Sequence, residues 1–145
     1  MQELPHHYVV TAHAEGSKNV SLSSDNLPDL ETAGPPQFGG PGDVWSPETL
    51  LVGAVADCFI LSFRAIARKA RLDWQTLECR AEGELDKIDK LTQFTGFKVT
   101  AKLTITDEKD RKKAGVILEK AEKYCLITNS MKADSHLEAE VAVVG

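Results

Sequence analysis

One stretch, SPETLLVGAVADCFILSFRAIARKAR at residues 46–71, limits the fold more than any other part of the chain. Ser46 can cap free N–H groups, and Pro47 supplies a helical φ where its missing N–H costs nothing. Glu48 then falls in the first turn, where the helix dipole favours a carboxylate. From Leu50 to Leu61 the only charge is Asp57, while Arg64, Arg68, Lys69 and Arg71 crowd the far end. The pattern predicts one long helix, apolar on almost every side, and such a helix has to be buried. At about 25 residues it would run roughly 37 Å, against an expected radius of gyration of about 15 Å for this chain length. A single small chain covers such a helix poorly, so the expectation is a homodimer that shares it. The apolar part reads as too short, and too quickly followed by arginines, to span a bilayer.

The rest of the chain fits an α+β domain spanning residues 1–145. Residues 6–13 and 19–24 read as two strands joined by a polar turn at Glu15 to Lys18, and the Pro- and Gly-rich segment 28–45 as a loop. After the helix, Leu77, Cys79, Ala81, Gly83 and Leu85 alternate with charged residues. Phe97, Val99, Ala101, Leu103 and Ile105 do the same. These runs predict an antiparallel hairpin, joined near Asp89 to Thr95, with one wet face. Acidic residues of its first strand would oppose Lys98 and Lys102. Asp107 opens a second helix carrying Ile117, Leu118, Ala121, Tyr124 and Cys125 inward and Glu119, Glu122 and Lys123 outward. Leu137, Ala139, Val141 and Val143 form a closing strand.

With 42% hydrophobic and 27% charged residues the composition is that of a soluble globular protein. A net charge of −5 without a basic stripe argues against a nucleic-acid partner. MQELPHHY carries no basic stretch leading into an apolar core, so the expected location is cytoplasmic. Three cysteines with no CxxC pair disfavour a disulfide framework or a zinc site. Taken alone, Cys58 is open to two readings: an inert packed thiol, the commoner fate of a Cys in an apolar helix, or a nucleophile. Cys79 reads as packing on an inward strand face. FGGPGD lacks the Lys-Ser/Thr ending of a phosphate loop.

Three features stand together: SPETLL opening the helix, ADCF at its middle, and KYCLITNSM after the second helix. In this combination the chain resembles the OsmC/Ohr family of organic hydroperoxide reductases, and FGGPGDVWSPETLL is similar to the glycine-rich approach of the Ohr branch. The resemblance implies an OsmC/Ohr-like fold, antiparallel sheets around two central helices in an intertwined homodimer. It implies a thiol peroxidase without metal or bound cofactor, active on organic hydroperoxides. Cys58 would become a sulfenic acid, Cys125 would condense with it, and a dithiol reductant, in the family often a lipoylated protein, would reopen the disulfide. Glu48 matches the family's glutamate. Ten residues from Cys58 on one helix, it lies about 15 Å away along the axis, so it would serve the Cys58 of a partner chain packed antiparallel. The family's thiolate-stabilising arginine has no counterpart. The nearest position in the Ohr branch holds Lys18, which keeps the charge without the planar fork, and that of the OsmC branch holds Gln37. The departure leaves a second expectation, an OsmC-like protein that binds a small apolar ligand at the dimer interface with weak or no catalysis.

Overall fold

The computed structural model describes residues 1–144 and divides into two compact units, residues 1–50 and 51 onward, with the division falling inside the first turns of the long helix. In the first unit β1 (Thr11–His13), β2 (Val20–Ser23) and β3 (Leu30–Thr32) form an antiparallel sheet in that order. The turn between β1 and β2 is closed by Lys18 N–H donating to Glu15 C=O at 3.1 Å, at the place expected. Both strands are shorter than the alternation suggested. β3 lies within the segment expected to be loop: three residues between prolines are enough to pair with β2 but too few to show a period. The loop after it returns to β3 through a parallel bridge from Thr32 to Trp45.

Helix α1 runs Pro47–Lys69. Thr49 N–H donates to Ser46 Oγ (3.1 Å) and Ser46 N–H to Thr49 Oγ1 (2.9 Å), a reciprocal cap with threonine in the answering position. A left-handed Arg71 (φ 55°) ends the helix, with Leu72 N–H donating to Ala67 C=O at 3.0 Å. Val55, Phe59, Phe63 and Ala67, at four-residue steps, form its one sealed ridge. By length and composition alone α1 qualifies as a membrane span, which corrects the sequence expectation, and only 22% of its apolar window is buried. Leu61, near its middle, is 51% exposed.

β4 (Trp74–Ile88) and β5 (Leu91–Ile105) form the long antiparallel hairpin. Its turn is only Asp89 and Lys90, both at positive φ, tighter than the expected connection to Thr95. Phe97, Val99, Ala101, Leu103 and Ile105 are all sealed inside. On the wet face Glu78 lies opposite Lys102 and Glu82 opposite Lys98, as the alternation required. A 3₁₀ turn at Glu108–Asp110, capped by Asp107 (Lys109 N–H to Oδ1, 3.0 Å), precedes α2 (Arg111–Lys123). The short α3 (Leu126–Asn129) follows, then β6 (Asp134–Val143). β6 pairs with β5 in parallel, so this sheet is mixed, with order β4–β5–β6, where an antiparallel one was expected. The reason is the crossover: α2 carries the chain back along the sheet before β6 begins, and a strand that returns through a helix re-enters in the same direction. The α+β class stands.

Helix and sheet come close together at Gly83. A Cβ there would come within 2.9 Å of both Val52 Cγ2 and Phe94 Cε1. Phe63 and Trp74 meet edge to face at 5.3 Å, and Phe94 stacks on Phe97 at the same separation.

Candidate functional site

α1 presents Cys58 one residue before the sealed Phe59, so its thiol lies on the flank of the core ridge and is half-buried. Ser62, one turn on, places its Oγ 3.9 Å from Cys58 Sγ, within reach of a weak sulfur hydrogen bond that a thiolate would strengthen. Leu51 stands seven residues before Cys58, two turns away and nearly in line with it. With Phe94, Phe97 and Met131 it lines an apolar groove of about 260 Å³.

Cys125 sits in the corner between α2 and α3 and is only 2% exposed. Its N–H donates to Glu122 C=O (3.3 Å), and its C=O accepts from Asn129 N–H (3.0 Å) and Thr128 Oγ1 (3.3 Å). The residues on either side turn outward: Tyr124 is 57% and Leu126 74% exposed. Tyr124 was expected to pack; instead it closes α2 at the surface, with the Lys123 ammonium over its ring. All three cysteines are free thiols.

Sequence reasoning placed Cys79 correctly but missed its nearness to Cys125. It faces inward on β4 opposite Ala101, as its alternation said. Burial pushes its thiol up to about 11, and negative charge on Cys125 adds to the rise. Cys79 is thus an electrostatic neighbour of Cys125 and is held neutral near pH 7. Nothing in the spacing signals this, because the proximity is made through space by strand and helix packing.

Glu48 occupies the first turn of α1, half-buried, with Oε1 shielded and without a hydrogen-bond partner among the described residues. On the single helix α1 it stays ten residues from Cys58, so one chain does not bring the two together. Lys18 lies in the β1–β2 turn, with a largely exposed side chain whose Nζ is 3.5 Å from Glu15 Oε2. Glu122, expected to face outward, is instead half-buried with Oε2 shielded and unpartnered; burial raises its pKa and the charge of His136 opposes that rise. Among the described residues no three His, Cys, Asp or Glu side chains gather closely enough to hold a metal ion.

Chemically this is a half-buried thiol on α1, and in the same unit a sealed thiol with a neutral third as neighbour. The sequence profile of OsmC-like proteins matches residues 40–140. The chain is 26% identical over 145 residues to the uncharacterized protein YmaD of Bacillus subtilis, covering 95% of each. It is 27% identical over 136 residues to an organic hydroperoxide resistance protein of Xanthomonas axonopodis pv. citri, covering 90% of this chain and 92% of that protein. Its fold is similar to that of an OsmC-like protein of unknown function from Vibrio cholerae, with a TM-score of 0.85 at 18% identity, over 93% of this chain and 99% of the other. With its profile matched over well more than half its length, this chain belongs to the OsmC-like protein family.

Proposed function

We propose that this protein is a thiol-dependent peroxidase that reduces organic hydroperoxides to alcohols. The observation that carries the reading is the unequal pair of thiols in one unit of an OsmC-like fold, Cys58 half-buried on α1 and Cys125 sealed. The Cys58 thiolate attacks the outer peroxide oxygen, the O–O bond breaks, and the alkoxide leaves as alcohol after taking a proton. Cys58 is then a sulfenic acid. The Cys125 sulfur attacks the Cys58 sulfur, water leaves, and a Cys58–Cys125 disulfide forms. A dithiol reductant, such as a lipoylated protein, returns both thiols. The apolar run of α1 on either side of Cys58 favours an alkyl hydroperoxide over hydrogen peroxide.

The working unit in this reading is a cytoplasmic homodimer, with no nucleic acid, membrane or bound cofactor involved. Two observations support the dimer: α1 leaves most of its apolar window unburied, and no large apolar side chain before residue 51 is buried. Glu48 acts on the Cys58 of the second chain, and Lys18 supplies the positive charge that favours the thiolate.

The test is consumption of cumene hydroperoxide with dihydrolipoamide as reductant. Cys58→Ser falls to the uncatalysed background, Cys125→Ser loses turnover but still forms the sulfenic acid once, and Cys79→Ser retains activity. Wild-type protein with no turnover above background would overturn the reading.

A second reading, a binding protein for a small apolar ligand, is favoured by one observation: Lys18, the nearest match to the family's arginine, is exposed and already paired with Glu15. Iodoacetamide separates the two. Rapid alkylation of Cys58 near pH 7 marks an activated thiolate, and a rate typical of a free thiol of pKa about 8.5 marks the binder.

A further inference from the structure

We infer that the dithiol reductant opens the Cys58–Cys125 disulfide by attacking the sulfur of Cys58, and that Cys125 is the leaving thiol. The inference rests on the peroxidase reading and fixes the direction of its reductive half.

Thiol–disulfide exchange needs the incoming sulfur in line with the S–S bond, behind the sulfur under attack and opposite the one that leaves. The two sulfurs differ in what lies behind them. Cys125 is 2% exposed, and it is tied at both ends: its N–H to Glu122, its C=O to Asn129 and Thr128. Presenting it to solvent would break the corner between α2 and α3. Its neighbours Tyr124 and Leu126 point outward, so the sulfur between them is on the inner side of the corner. Cys58 is half-buried on the flank of α1, and its Sγ has only Ser62 Oγ, at 3.9 Å, as a polar neighbour. Whatever opening admits a hydroperoxide to Cys58 also admits a slender dithiol.

The step balances without further reagents. A thiolate of the reductant attacks Cys58 Sγ, a mixed disulfide forms on Cys58, and the electron pair of the broken S–S bond leaves with Cys125, which takes a proton. The second thiol of the reductant then attacks its own sulfur in the mixed disulfide. That closes a cyclic disulfide and frees Cys58.

Cys79 bears on the competing route. As a thiolate it could attack Cys125 from inside and divert the disulfide to a Cys79–Cys125 pair. Burial raises its pKa to about 11 and keeps it protonated near pH 7, which disfavours the internal exchange and leaves Cys125 as the leaving group.

The experiment uses the full chain. One portion is oxidised with one equivalent of cumene hydroperoxide and a second with diamide, and peptide mass mapping locates the disulfide in each. Both are then mixed with 2-mercaptoethanol, a monothiol that cannot close a ring, quenched in acid at early times, and mapped again. The expected result is an adduct on Cys58 at least tenfold over Cys125, with Cys125 recovered free. An adduct found mainly on Cys125 or Cys79, or shared equally, overturns the inference alone. A Cys58–Cys125 link with diamide but not with peroxide removes the peroxidase reading and leaves the direction of opening to be read from the adduct. No such link with either oxidant overturns both.

Discussion

Residues 1–50 and residues 51–144 are built on different physical terms. In the first unit only Thr32, Pro35 and Ser46 are buried, while Leu4, Tyr8, Val9, Val10, Leu27, Phe38 and Trp45 stand more than half exposed. Its sheet has strands of three or four residues. In the second, a ridge of α1, one face of β5 and the inner side of α2 (Ala114, Ile117, Leu118, Ala121) enclose a continuous apolar core. A small three-stranded sheet that buries no large apolar side chain has little stability of its own. The second unit has what it needs within one chain, apart from the outer face of α1. The lesson is that exposure here is unevenly spent: the greasy surface gathers in the N-terminal unit and along α1.

The comparison breaks most visibly at Phe63. Sealed and in edge contact with Trp74, it should cost about 3–5 kcal/mol when cut to alanine. Leu27→Ala, at a side chain 63% exposed, should cost under ~0.5 kcal/mol in dilute protein. Urea midpoints measure both, and repeating them at tenfold higher protein concentration sharpens the contrast. A Leu27→Ala effect that grows with concentration assigns cover of the first unit to a second copy. A Phe63→Ala cost below about 1 kcal/mol would erase the difference between the units.

Gly83 tests the second unit at the next level. Alanine there sets a methyl 2.9 Å from Val52 and from Phe94, closer than carbon atoms tolerate, so helix and strand have to part or Phe94 has to turn. The expected loss is about 1–3 kcal/mol. Val52→Ala in the same chain should return part of it, and a double-mutant cycle with no coupling would show that α1 does not rest on β4 at this point.

How much of this was legible in the sequence depends on which physical signal each part writes. The faces of β4 and β5 were readable because a two-residue period survives in nearly every position, and the start of α1 because Ser46-Pro47-Glu48 is local chemistry. The direction of β6 was not, since alternation fixes which side chains face in and says nothing of which way a strand runs. β3 is too short to carry a period. Cys58, Cys125 and Glu48 were singled out by motif and spacing, but the depth of Cys125 and its coupling to Cys79 arise only when helix and strand meet. Glu122 shows the limit most plainly. Its place on the α2 wheel says solvent, whereas the folded chain shields one of its oxygens.

That oxygen gives the smallest test. Burial raises the Glu122 pKa in the folded chain above its unfolded value, so the native state holds the proton more tightly. Stability is then fullest below the unfolded pKa and declines as pH rises through the folded one, because at neutral pH a charged oxygen lies shielded without a partner. Glu122→Gln removes the charge and keeps the shape. Solvent still reaches much of the side chain, so the gain at pH 7 is discounted to less than about 1 kcal/mol, a Tm increase of about 2 °C. The sign of the pH dependence carries the argument: the gain should shrink as pH falls and vanish once the wild-type carboxyl is protonated in both states. Thermal melts of the two proteins between pH 4 and pH 8 measure it, and a gain that stays constant across that range would mean that ionisation of Glu122 costs the fold nothing.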